Sequence, residues 1–133
     1  MERYKSIKLA KSTHTVIETD PIIIKLVVKE DEFLEAQDVQ EWRQAHLELS
    51  EGKPFYILLD SSKGYFNMSP EGSRLLTSDE YMKDRLGSAM IAHSMASRLA
   101  GNFFMKLGGK ANVSRMFASE EEAIKWLKSL VGK

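Results

Sequence analysis

Between Leu86 and Leu130 the chain alternates between the strand period and the helix period, and that alternation narrows the fold more than any other feature. Leu86–His93 is a short, almost continuous apolar run, the pattern of a strand buried on both faces. Met95–Leu107 then carries apolar residues at helical spacing, and Val113–Phe117 returns to strand. The closing segment opens with Ser119 and Glu122 in capping-box spacing. It continues with Ala123, Ile124, Leu127, Leu130 and Val131 as a core face and stops at Gly132. Strand, helix, strand, helix in this order predicts an α/β fold with parallel strands joined by crossovers.

The upstream half extends the same pattern. His14–Thr19 and Ile22–Lys29 are rich in β-branched residues and flank a turn signal, Asp20-Pro21, which predicts a hairpin. Ile22, Ile24, Leu26 and Val28 share one face, with Ile23 and Val27 on the other, so this strand belongs in the middle of the sheet. A helix follows over about Gln37–Glu51. Val39, Trp42, His46 and Leu49 lie at helical spacing on it, Asp38 and Glu41 are spaced like a capping box, and Gly52 and Pro54 end it. Pro54–Asp60 reads as a buried strand. Ser69-Pro70-Glu71 opens a helix over Pro70–Ser78, with Asp79–Arg85 as a further turn or short helix. Residues 1–12 read either as an extra edge strand or as a loose arm. The expectation is one α/β domain, a single mixed sheet of about five strands with an N-terminal hairpin followed by alternating helices and parallel strands.

Composition excludes whole classes of function. Lys+Arg and Asp+Glu stand at 19 each, a zero formal charge that argues against a nucleic-acid or anionic-membrane binder. With no cysteine, thiolate metal sites, iron–sulfur clusters and a Cys nucleophile are ruled out. The first residues lack the apolar core of a signal peptide. Runs such as Ile22–Ile24 and Ile57–Leu59 fall far short of the ~20 residues of a membrane span, so the cytoplasm is the expected compartment. No histidine pair has the i, i+4 spacing of a helical metal site, and Gly108-Gly109-Lys110 lacks the rest of a phosphate loop. No cofactor is expected.

The element order, at this length, resembles the STAS family, the fold of bacterial anti-sigma-factor antagonists. More narrowly, Arg98, Asn102, Phe103, Phe104, Arg115, Phe117, Glu122, Ala123, Trp126 and Leu127 resemble a group of uncharacterised bacterial STAS/SEC14-like proteins. Phosphorylatable STAS domains open the helix after the third core strand with Asp-Ser-Ser/Ala-Gly. The resemblance places the acceptor at Ser69, within Asn67–Gly72, where the preceding Asp and the following Ser/Ala-Gly are missing. Asp60-Ser61-Ser62-Lys63-Gly64 repeats the letters but falls at the end of a strand.

Two candidate surfaces emerge. Ligands of open α/β sheets sit beyond the carboxyl ends of the parallel strands, where Asp60, Ser61, Ser62, Lys63, Ser69, His93 and Ser94 collect. A phosphoacceptor or anion site there competes with a plainer reading, in which Ser69 caps its helix and Asp60 ends its strand. His93 next to Ser94 would need a poised nucleophile to act in hydrolysis, and no G-x-S-x-G elbow is present. The second surface is the Met95–Leu107 helix. Met95, Leu99, Phe103 and Leu107 form a stripe that Phe104 widens, and Met105 falls on another side. It is either a well-buried core helix or an interaction surface. The expected function is a non-enzymatic regulatory domain working through protein contacts, with a homodimer as the specific version. The alternatives are an apolar-ligand or lipid module with a pocket lined by Met90, Phe103, Phe104 and Trp126, and a phosphoacceptor switch at Ser69.

Overall fold

The computed structural model describes residues 5–60, 66–76, 78, 83–91 and 114–131. In chain order the elements are β1 (Ser6–Lys8), β2 (Ser12–Thr19), β3 (Ile22–Val28), β4 (Phe33–Leu34), α1 (Ala36–Ser50) and β5 (Phe55–Asp60), followed by β6 (Asn67–Met68), α2 (Pro70–Leu76), β7 (Arg85–Ile91), β8 (Ser114–Phe117) and α3 (Glu120–Ser129). The main sheet runs β1-β2-β3-β5-β7-β8. β1, β2 and β3 pair antiparallel, and β3, β5, β7 and β8 pair parallel. This is the expected mixed α/β sheet with six strands rather than five. The added strand comes from the N-terminal residues, whose charged letters hide it. Ser6, Ile7 and Lys8 pair with Thr15, His14 and Thr13 and form an edge. A second, two-stranded parallel sheet joins β4 to β6, with Phe33 opposite Asn67 and Leu34 opposite Met68.

Strand alternation sorts the core into two layers. On one face Val39, Trp42 and Leu49 of α1 and Leu76 of α2 pack over Val16, Ile24, Leu26, Val28, Leu59 and Met90. On the other, Ala123 and Leu127 of α3 pack over Ile23, Tyr56, Leu58, Ala89 and Ile91. β3 and β5 supply both layers, which explains why each carries apolar residues on both faces. Each fully buried Leu or Ile contributes about 1.5–3 kcal/mol of transfer free energy.

The helix ends depart from expectation in detail. α1 is capped one turn early: the Glu35 N–H donates to Asp38 Oδ2 at 2.8 Å, so Asp38 is the acceptor within the first turn rather than the cap itself. At the start of α3, Ser119 Oγ accepts the Glu122 N–H at 3.2 Å, as the spacing predicts. Val131, expected on the core face, is 53% exposed because the helix ends at Ser129. The Met95–Leu107 helix lies outside the described residues. Among the described residues no helix is long and apolar enough to cross a membrane.

Candidate functional site

Asp60 and Ser69, two of the residues assigned to one polar site, sit on opposite faces of the sheet. Ser69 opens α2. Its N–H donates to the Leu34 carbonyl at 2.8 Å, and its Oγ accepts the Gly72 N–H at 3.0 Å. A Cβ at Gly72 would come 3.0 Å from Met68 Cγ and 3.3 Å from Ser69 Oγ, so a larger residue there would push against the Met68 side chain and the Ser69 hydroxyl that caps α2. A cleft of about 490 Å³ opens between the two helix starts, lined by Lys11, Glu35, Asp38, Glu41, Ser69 and Glu71 among others. Lys11 bridges its wall, donating to the Phe33 carbonyl at 2.8 Å and to Asp38 Oδ2 at 3.0 Å. Burial works against ionised Asp38, but the Glu35 N–H and the Lys11 ammonium outweigh it and hold the carboxyl below its usual range. Carboxylates dominate this cleft, so it does not offer an anion a favourable field.

Asp60 belongs to the other layer. It lies 3.6 Å from Lys25 Nζ, which in turn donates to Glu120 Oε1 at 2.6 Å at the start of α3. Burial lowers the Lys25 affinity for its proton, but Glu120 and Asp60 more than offset this and raise it above the ordinary lysine value. β5 presents Leu59 to α1 and Leu58 to α3, and alternation then turns Asp60 toward α3. Asp60 and Ser69 are therefore not joined in one site. Ser61, Ser62, Lys63, His93 and Ser94 lie outside the described residues.

The apolar pocket fares similarly. Met90 packs beneath α1 and α2, whereas Trp126 packs against Phe117 on the α3 side, with ring centroids 5.6 Å apart. The sheet separates them, so one pocket does not take both. Met95, Leu99, Phe103, Phe104 and Met105 lie outside the described residues.

Sequence reasoning missed a cluster that the fold assembles. His14 from β2 and His46 from α1, 32 residues apart in the chain, meet with Nδ1 and Nε2 2.8 Å apart. His14 Nε2 lies 2.7 Å from Ser12 Oγ, and Trp42 Nε1–H donates to the same Oγ at 3.1 Å. His14 is fully buried, and Ser12, Trp42 and His46 are 1–2% exposed. Phe55 closes the far side, its ring 5.7 Å from that of His46. The indole N–H donates to Ser12 Oγ, and that oxygen has a second lone pair with which to accept while its own O–H turns. The protons therefore run in either direction along Ser12, His14 and His46, and in both arrangements each contact uses one proton and both rings are neutral. Burial pushes the His14 ring down to about 4. His46 is driven well below the usual histidine range, first by burial and then by the charges of His14 and Arg85. A signal was available in the sequence: Ser12 and His14 sit two apart on a strand, and Trp42 and His46 four apart on a helix, so each pair shares a face. Among the described residues no group of three or more His, Cys, Asp or Glu is placed to hold a metal ion.

Residues 16–131 match the family described as Domain of unknown function (DUF7793). The chain belongs to that family. No curated protein matches it. Among solved structures, this DUF7793 chain is similar to an uncharacterised protein of the DUF3478 family, with a SpoIIAA-like fold, from Shewanella loihica PV-4. That likeness has 16% identity and a TM-score of 0.60 and covers 92% of this chain and 98% of the other. A weaker likeness joins it to the anti-sigma factor antagonist SpoIIAA in its unphosphorylated form, at 17% identity and a TM-score of 0.43, covering 95% and 98% of the two chains. The Bacillus cell fate determinant SpoIIAA in the phosphorylated form gives 14% identity and a TM-score of 0.39, covering 94% and 99%. The first of these places the DUF7793 chain in a SpoIIAA-like, STAS-like fold.

Proposed function

We propose that this chain is a non-enzymatic, cytoplasmic STAS-like regulatory domain that acts through protein contacts, with a second copy of itself as its first partner. The observation that carries this reading is the dispersal of the chemistry-bearing side chains in a SpoIIAA-like fold. Asp60 is held by Lys25 toward α3, and Ser69 caps α2 on the opposite face. His14 and His46 are sealed in the core, out of reach of a substrate. Native mass spectrometry at micromolar concentration tests the assembly: a dimer is expected, and a strict monomer removes the homodimer.

Phosphorylation of Ser69 is the second reading, favoured by its position at the first turn of α2 beside an open cleft. A phosphate there would face Glu35, Asp38, Glu41 and Glu71 with Lys11 as the opposing charge, so its effect would be to push the two helix starts apart. Intact-mass analysis of the protein from its native host, compared with Ser69→Ala, tests it. An added phosphate absent from the variant is the expected result, and an unmodified native protein sinks the reading.

A further inference from the structure

The buried histidines belong to neither reading, and their placement gives them a role of their own. His14 sits on β2, opposite Leu26 of β3 and Ile7 of β1. His46 sits on α1, and its contact with His14, together with the Trp42 Nε1–H donated to Ser12 Oγ, makes a buried polar join between that helix and β2. α1 cannot leave without uncovering Val39, Trp42 and Leu49 of the core, so whatever loosens this join loosens the fold. In the neutral chain every contact has one proton. One added proton leaves a net charge buried on the ring pair, and a second places two N–H groups head to head at 2.8 Å. The surroundings do nothing to accept that charge. β3 and β1 face His14 with Leu26 and Ile7, β5 faces His46 with Phe55, and β7 adds the positive charge of Arg85. Among the described residues no carboxylate acts on either ring.

We propose that the Trp42–Ser12–His14–His46 chain is a pH-sensitive latch: the sheet holds α1 while both imidazoles are neutral, and mild acid weakens that hold. The sign follows from linkage. In the unfolded chain both rings take up protons as pH falls through ~6.5. In the folded protein they stay neutral to much lower pH, His14 to about 4. The unfolded state therefore binds about two more protons than the folded state once pH drops below ~6, and stability falls with pH across that window. Carboxylates held below their usual range, such as Asp38, add their own loss only below about pH 5. That leaves the interval from about pH 6 to about pH 5 to the histidines.

The test is equilibrium urea unfolding of the full chain, followed by tryptophan fluorescence from about pH 7 to about pH 5 at constant ionic strength. The unfolding constant is expected to rise ~50-fold between about pH 6 and about pH 5. A change under ~5-fold overturns the latch. His93, outside the described residues, is controlled by His93→Gln, in which the steep dependence is expected to persist; its disappearance there also overturns the proposal. The double variant His14→Leu with His46→Leu, where it folds, is expected to lose the dependence. Retention of the ~50-fold rise in that variant contradicts it. Wild type and His93→Gln decide the matter without the double variant.

Discussion

The two layers of this molecule handle polarity in opposite ways. The α3 layer is dry in its centre, with Ala123 and Leu127 over Ile23, Leu58 and Ala89. Its charges sit at the rim, where Lys25 joins Glu120 and Asp60 and Lys128 meets Glu18 at 3.3 Å. The α1 layer carries four polar side chains through its centre, all buried and all linked. Rim charges are screened and adjust to solvent, while a buried network is stabilising only when fully satisfied. The α1 layer is thus the one whose stability depends on protonation state, and the α3 layer is the internal reference.

Truncations in the two layers break the comparison most sharply. Trp42→Ala is expected to destabilise by ~3–5 kcal/mol and Leu127→Ala by ~2–5 kcal/mol in denaturant unfolding at neutral pH. The difference lies in what remains. Leu127→Ala leaves an apolar cavity, whereas Trp42→Ala also removes the donor to Ser12. Trp42→Phe, which keeps a ring and loses only the N–H, is expected to lose ~1–3 kcal/mol. A neutral result there would show that the network is not bearing on stability.

Acid comes next in size. Depressing the His14 ring from ~6.5 to about 4 corresponds to a loss on the order of 3 kcal/mol. The loss begins as pH falls below ~6.5 and is complete near about 4, and His46 adds to it in the same direction. Leu127→Ala is expected to shift the stability curve down without changing its slope against pH. A changed slope in that variant would mean that the two layers are coupled.

How much of this could be read from the letters depends on range. β3 and β5 declared themselves because a strand apolar on both faces has few other places to go. The cap of α3 was legible because Ser119 and Glu122 interact within a single turn. β1 was ambiguous because a three-residue strand carries little periodicity, and pairing with Thr13–Thr15 decides the matter. The joining of Asp60 with Ser69 failed for a similar reason. Asp60 and Ser69 are near in sequence, but β5 alternation and the fold of α2 send them to different faces. The histidine contact spans two elements, so each half was visible and the meeting was not.

Smaller effects sharpen the contrast at the rims. Ser69→Ala removes the acceptor of the Gly72 N–H and is expected to lose ~1 kcal/mol, measured by thermal unfolding. Ser69→Glu should lose more, because it adds a carboxylate to a cleft that already holds several. Lys25→Met is expected to cost on the order of 1 kcal/mol or less, an effect that shrinks as salt is added because this group is partly exposed. A loss at Lys25 that is large and insensitive to salt would make the α3 rim as consequential as the α1 centre.

Nitrogen-resolved NMR of the histidine rings in the folded protein tests the central claim most directly. Two rings should each show one protonated and one bare nitrogen at neutral pH, and both should keep those signals down to about pH 5 for as long as the protein is folded. A ring at position 14 or 46 that titrates freely near ~6.5 in the folded state would contradict the account.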